Sequence, residues 1–344
     1  MDGAIVPVDN RALQRLEGEV RRLAAMAGGT MGLSALHIES GRSFSLNGTE
    51  RFPMASAYKI PIAVQLLMRV DRGEITLDQV VTLRNCDIHP GSGKLIQSSK
   101  KKPVSHTVKE LLELMLLVSD NTASDALLKL AGGPEAVAAS MQALGIKDLE
   151  VSRSTLNMLA DWRGIEKLPA AQDFSVDKYN KLRDKVPAHL LETAQNRFYS
   201  DTRDTATPDA MTSLLARVYN GTVLKSESSS LLLKIMGRCQ TGKSRIKKLI
   251  PPGMAVANKT GTIGKGMVND VALLTLPDGA GHVALTIFIK TSEQSVARQE
   301  EIMAQIARYC YDYYFFYDAT PAVAARNESC PLQDPNCYGK ESRD

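Results

Sequence analysis

The stretch FPMASAYKIPIA, residues 52–63, runs on into Val64-Gln65-Leu66-Leu67-Met68 and so places one lysine, Lys59, at the head of an apolar run. Such a lysine is either a surface residue that snorkels its stem or an amine kept half-dry for a chemical purpose. Ser56 precedes it by one helical turn, so on a helix the two side chains share a face. A hydroxyl beside a candidate base is the first half of an activated nucleophile. The remainder of the chain decides whether the second half exists.

Working outward, RALQRLEGEVRRLAAMAGG spaces its apolar residues as an amphipathic helix with a glycine stop, and MGLSALHIESGRSFSLNGTERF alternates around Gly41-Arg42 as a hairpin. Beyond Ile60 the pattern turns helical. HTVKELLELMLLVSDNTASDALLKLAGG reads as two helices broken near Ser119–Asn121, and GPEAVAASMQALGI as a third. AVANKTGTI, GMVNDVALLTLP and HVALTIFIK then read as strands between glycine turns, followed by a helix from about Ser295 to Tyr317. Strands at both ends with helices between imply one α/β layer built from the two termini, an all-helical lobe from the middle, and a cleft between them. The tail after Tyr317 reads as an irregular extension.

The bulk properties set bounds. A chain of 344 residues with 44% hydrophobic and 23% charged content has material for one large or two moderate soluble domains. A net charge of +4 is too small to argue for nucleic acid, and the one compact basic run, Lys100-Lys101-Lys102, reads as a solvated loop. No apolar stretch is long enough to span a bilayer, and MDGAIVPVDN lacks the features of a signal peptide. The five histidines are isolated and no cysteines form a C-x-x-C, so neither metal nor cofactor is expected. Cys330 and Cys337, around PLQDPN, are placed to close a small disulfide loop.

Ser-x-x-Lys alone decides nothing, because Ser98/Lys101, Ser99/Lys102 and Ser244/Lys247 repeat it. Ser56 differs in its company: Ser119-Asp120-Asn121 at the break between two helices, and Lys259-Thr260-Gly261 on a strand ahead of a glycine turn. The three triplets in this order, on these elements, are a specific combination. With these flanks and with RDTATP (203–208), the chain from about residue 12 to 317 resembles the class A β-lactamases and the wider family of penicillin-recognising serine enzymes. The resemblance implies an antiparallel sheet flanked by terminal helices plus a helical lobe. Residues 12–60 and 209–317 would form the α/β lobe, and 61–208 the helical lobe with an enlarged omega-loop region at 151–204; 318–344 would be the extension.

The resemblance also assigns roles. Ser56 is the expected nucleophile, Lys59 its base, and Ser119 the relay to the leaving nitrogen. Asn121 would hold the substrate amide, and Lys259, Thr260, Gly261, Thr262, Arg245 and Asn157 complete the substrate site, with the N–H groups of Ser56 and Thr262 as oxyanion hole. Asp120 reads as a loop-ordering residue, His89 as either a cleft-mouth or an ordinary loop histidine, and Trp162 as a packing anchor. The expected partner is a small β-lactam or related amide, with no nucleic acid, membrane span or cofactor, and a monomer in the periplasm or medium. A D-Ala-D-Ala peptidase, another small amide or ester hydrolase, and a sensor acylated once are the alternatives.

One departure stands out. The family's omega loop carries a glutamate in a Glu-x-x-Leu-Asn pattern that activates the deacylating water; here RSTLN, residues 153–157, puts Arg153 in its place. Arginine stays protonated and is no base, so slowed or unconventional deacylation is expected. Arg153 either points inward and lowers the Lys59 pKa, or takes over the arginine–aspartate bridge at the loop's neck. The aspartate of that bridge is Asp204, and its arginine is expected at Val151. Alternatively, a rebuilt loop brings in another carboxylate from among Glu150, Asp161, Glu166, Asp173 and Glu192.

Overall fold

The computed structural model describes residues 11–98 and 103–317. The proposed Cys330–Cys337 loop, the C-terminal extension and the lysine run therefore lie outside the described residues. In chain order the elements are α1 (Arg11–Met26), β1 (Thr30–His37), β2 (Ser43–Leu46), β3 (Phe52–Pro53), α2 (Lys59–Asp71), β4 (Val80–Leu83), β5 (Val104–Thr107), α3 (Val108–Leu117), α4 (Asn121–Leu130), α5 (Pro134–Ala143), α6 (Thr155–Trp162), α7 (Val176–Arg183), α8 (Ala188–Ser200), β6 (Thr205–Ala206), α9 (Pro208–Tyr219), α10 (Ser226–Gly237), β7 (Val256–Ile263), β8 (Met267–Thr275), β9 (His282–Lys290) and α11 (Val296–Tyr317).

The main sheet runs β2-β1-β9-β8-β7, antiparallel throughout. Its central strands are buried on both faces, which is why β8 and β9 read as near-continuous apolar runs rather than alternating ones. One face packs on α1 and α11 through Leu16, Val20, Leu23, Ile302, Ile306 and Tyr314. The other meets the helical lobe through a larger core that includes Phe52, Ile62, Leu66, Leu111, Met115, Leu127 and Phe288. β7 is the outer strand, and its free edge faces the start of α2, where the site forms.

The segment between residues 151 and 204 is a folded unit, not an open loop. It contains α6, α7 and α8, each started by a residue that suits a helix N-terminus: Ser154 and Ser175 accept from the backbone N–H groups of Asn157 and Lys178, and Pro187 precedes α8. The sequence pattern predicts only the last of these helices. Ala160, Ile165, Phe174 and Tyr179 give the segment a small core of its own. Trp162 is its anchor, edge-on to Phe198 and Tyr199 of α8 at 5.5 and 5.7 Å. Gly264, opposite, leaves room for the indole: a Cβ there would stand 2.5 Å from Trp162 Cζ2.

Candidate active site

Ser56 sits on a 3-10 turn, Ala55–Tyr58, that runs straight into α2 at Lys59. In a 3-10 turn residues i and i+3 eclipse, so Ser56 and Lys59 line up on the inner face. Pro61 is tolerated because it lies in the first turn of α2, where its missing N–H has no helical partner. Gly261 on β7 allows close approach to this turn: a Cβ there would lie 2.5 Å from the Met54 carbonyl oxygen.

Lys59 is fully buried (0% exposed) and reaches Ser119 and Asn121 rather than Ser56. Its Nζ lies 2.7 Å from the Ser119 carbonyl oxygen, 3.1 Å from the Ser119 hydroxyl and 3.0 Å from Asn121 Oδ1. Burial, reinforced by the nearby Lys259 ammonium, holds its pKa well below that of a free lysine, against the opposing pull of Asp125 and Asp120.

Lys259, also 0% exposed, places its Nζ 3.1 Å from the same Ser119 hydroxyl and 2.7 Å from the Thr260 carbonyl. Burial lowers its pKa to about 8. One hydroxyl thus bridges two buried amines: the Lys59 amine is dry, and it is wired to a second lysine.

Local backbone strain makes the bridge. Ser119 adopts φ +58° between the end of α3 and the start of α4, which turns its side chain out of the helical path and into the crevice. Asp120 holds the turn: its carboxylate accepts from the N–H groups of Ala123, Lys94 and Leu95 at 3.0, 2.7 and 2.9 Å, so it orders structure as the sequence reading proposes. Gly93 must be glycine, since a Cβ would fall 2.2 Å from Asp120 Oδ2. Ser92, which sequence reasoning passes over, donates to the Ser119 carbonyl at 2.7 Å and to Asn121 Oδ1 at 3.2 Å. Its HPGSG setting signals only a turn, so nothing local marks it.

Ser56 opens into a cavity of about 210 Å³ lined also by Tyr58, Ser92, Asn121, Thr155, Trp162 and Thr262. Among the described residues no aspartate or glutamate lines it. Thr260 is buried and does not line it; its hydroxyl lies 2.7 Å from that of Thr241. Arg245 is buried, and its guanidinium is spent on Glu300, on the Gly261 and Asn269 carbonyls and, at 2.7 Å, on the Thr262 hydroxyl. It meets the crevice through Thr262 rather than lining it.

Arg153 turns away from the crevice. Its side chain is 5% exposed, with Nε 2.5 Å from Asp204 and Nη1 2.6 and 3.0 Å from Asp161 and Asp201. It also stacks over Phe198, and it does not figure among the charges that shift Lys59. Of the readings open from sequence, the neck bridge is the one realised.

This moves the register. An arginine expected at Val151 stands two residues later, at Arg153; counted from it, the family's glutamate would fall at Thr155, which does line the cavity. The Thr155 hydroxyl is hydrogen-bonded to the buried phenol of Tyr58, whose pKa burial pushes well up.

The same shift corrects the expectation for Asn157. It is exposed, lines a different cavity, and has no place in the one holding Ser56. The five carboxylates considered as replacement bases are elsewhere too. Glu150 accepts from Ser152, Asp161 is held by Arg153 and Arg203, and Glu166, Asp173 and Glu192 are exposed.

The chain is similar to known proteins over most of its length. The family model described as "Beta-lactamase enzyme family" matches residues 15–314. Beta-lactamase VEB-1 of Pseudomonas aeruginosa is 27% identical over 291 residues, covering 83% of this chain and 85% of that protein. The extended-spectrum beta-lactamase PER-1 of the same organism is 28% identical over 290 residues, 83% and 82% of the two chains. Among solved structures, a beta-lactamase from Chitinophaga pinensis DSM 2588 superposes with a TM-score of 0.72 at 27% identity, covering 87% of this chain and 98% of that one. The ancestral GNCA class A beta-lactamase does so at 0.69 and 28%, with 86% and 98% covered.

Proposed function

Because the chain belongs to the beta-lactamase enzyme family, we propose that it is a serine hydrolase whose Ser56 is acylated by β-lactams and whose acyl-enzyme is released slowly. The observation that carries this reading is the wiring of the Ser119 hydroxyl to two buried, pKa-depressed lysines beside a serine-lined cavity.

A neutral Lys59 amine has two N–H groups and one lone pair. The Ser119 carbonyl and Asn121 Oδ1 are pure acceptors and take the two N–H groups, which leaves the lone pair for a proton. Ser56 Oγ attacks the ring carbonyl and the ring C–N bond breaks. The serine proton passes through Lys59 and the Ser119 hydroxyl to the leaving nitrogen. Lys259, still largely protonated below its pKa of about 8, supplies charge for the substrate carboxylate and keeps the relay polarised. The N–H of Ser56, in the first turn of its helix and lacking a helical partner, and that of Thr262, on the free-edged strand β7, are the oxyanion donors.

Deacylation is the weak step. The position that would hold the water-activating carboxylate carries Thr155, whose hydroxyl is engaged by Tyr58, a phenol too high in pKa to act as base. A positioned base contributes about 10²–10⁴ in rate, so its absence lengthens the life of the adduct accordingly. This gap also supports a second reading, in which the natural substrate is a D-Ala-D-Ala peptide or the acylation serves as a signal. A periplasmic or extracellular location suits either.

The test is intact mass after exposure to benzylpenicillin, with the adduct mapped by peptide. A persistent acyl group on Ser56 supports the reading; rapid hydrolysis with no detectable adduct refutes slow release, and neither adduct nor hydrolysis refutes acylation altogether.

A further inference from the structure

A second cavity, of about 810 Å³, lies on the far side of the α6 start from the catalytic crevice. Its floor comes from β4, the Arg84–His89 segment and α4; its roof comes from the 151–204 segment, through Leu156, Leu168, Pro169, Ala171 and Phe174. We propose that this cavity is a second ligand site, built by the enlarged segment, and that it takes a small amphiphilic carboxylic acid: an apolar aromatic or aliphatic body with one anionic end.

Its size is that of a pocket for a drug-sized molecule. Leu83, Leu130, Leu156, Leu168 and Phe174 supply apolar wall. The charges in the wall define the polar end. Asp125 is consumed within the protein: it accepts from His89 Nδ1 at 2.6 Å and from the N–H groups of Thr155 and Leu156 at 2.6 and 3.0 Å. Asp87 is consumed likewise, by the Arg84 backbone N–H at 2.8 Å and its guanidinium at 3.2 Å. The His89 ring is fixed edge-on to Phe174 at 5.5 Å.

Once these pairs are made, Lys129 remains. It lines the cavity and is exposed; among the described residues its ammonium makes no direct ion pair or hydrogen bond, though its charge helps to hold the Asp87 carboxyl below its usual range. A cavity with an apolar body and, at its rim, one ammonium whose N–H groups have no direct partner among the described residues offers a carboxylate a place to pair. The inference does not rest on the reading of Ser56, since none of these residues lines the catalytic crevice except through the backbone of α6.

Cys86 gives a site-specific reporter. It lines this cavity and is half-buried, whereas Cys239 and Cys310 are buried. With 2-naphthoate as probe and the full chain, saturable binding by calorimetry is expected, together with slowed N-ethylmaleimide alkylation of the Cys86 peptide. Lys129→Glu, at an exposed position where folding is not at issue, is expected to weaken binding about tenfold. Ala126→Trp, which fills the cavity, is expected to abolish it. The uncharged 2-naphthamide should bind at least as weakly to the native protein as 2-naphthoate does to Lys129→Glu. The proposal is overturned by absence of saturable binding, by binding that leaves Cys86 alkylation unchanged or that Lys129→Glu does not weaken, or by equal affinity for the amide.

Discussion

Replacing Thr155 by glutamate should shorten the life of the acyl-enzyme. Thr155 lines the cavity that holds Ser56, and its backbone N–H is fixed by Asp125 at 2.6 Å, so a longer acidic side chain starts from an anchored position. The gain available from a positioned base is about 10²–10⁴ in rate, about 3–5 kcal/mol. Two structural costs pull it toward the lower figure. The Thr155–Tyr58 hydrogen bond is lost, and a new carboxylate near Lys59 favours its charged form, opposing the burial that depresses its pKa. Deacylation should therefore accelerate by about 10², while acylation slows and its pH profile moves upward. The assay is adduct decay after a penicillin pulse, by intact mass, with Thr155→Gln as the matched variant that loses the same hydrogen bond without gaining a base. Equal decay in the Glu and Gln variants would refute the placement of Thr155 at the water-activating position.

Arg153→Glu, which restores the family's glutamate by sequence position, should not speed deacylation; it sets a carboxylate against Asp204, Asp161 and Asp201 and should cost about 3–5 kcal/mol or more in thermal or urea unfolding. Lys59→Met should slow acylation by about 10²–10⁴, yet change the melting temperature little, because it exchanges a buried amine for an apolar side chain of similar length. Substrate affinity of a carboxylate-bearing β-lactam should fall as pH rises through about 8, where Lys259 loses its charge. The linkage to stability has the opposite sense: with Lys259 depressed to about 8 from 10.5, the unfolded chain binds the extra proton between those values, so the contribution of Lys259 to stability rises with pH across that window, as chemical denaturation at pH 7, 8 and 10 would register.

The fold was open to reading because its signals are local. The hairpin around Gly41, the strands of β7, β8 and β9 and the break at Ser119 each carry periodicity or turn chemistry within a dozen residues, and the three catalytic triplets ride on them. Lys59, Ser119, Asn121 and Lys259 are joined by hydrogen bonds, and Ser56 lines a cavity with Asn121. What escaped depends on contacts distant in sequence. Whether Arg153 faces the crevice or the neck is decided by Asp204 and Asp201, about fifty residues on, and no pattern near Arg153 encodes that choice. The misassigned Asn157 follows from the same two-residue shift. Ser92 sits in a glycine turn whose sequence announces a loop but not its hydrogen bonds to Ser119 and Asn121. The helices α6 and α7 were missed because a short helix capped by a single serine gives too little periodicity to separate from loop.

The arrangement is economical in its physics: strain at Ser119 aims one hydroxyl, burial lowers the pKa of two amines, and a glycine on β7 lets the strand close on the serine turn. The most direct examination is the pH dependence of a single turnover, in which quenched mixtures of protein and benzylpenicillin are weighed for the Ser56 acyl adduct. The account predicts adduct formation that reaches its plateau with an apparent pKa well below the 10.5 of a free lysine. A rate still climbing toward that value, or no adduct on Ser56 at any pH, would contradict it.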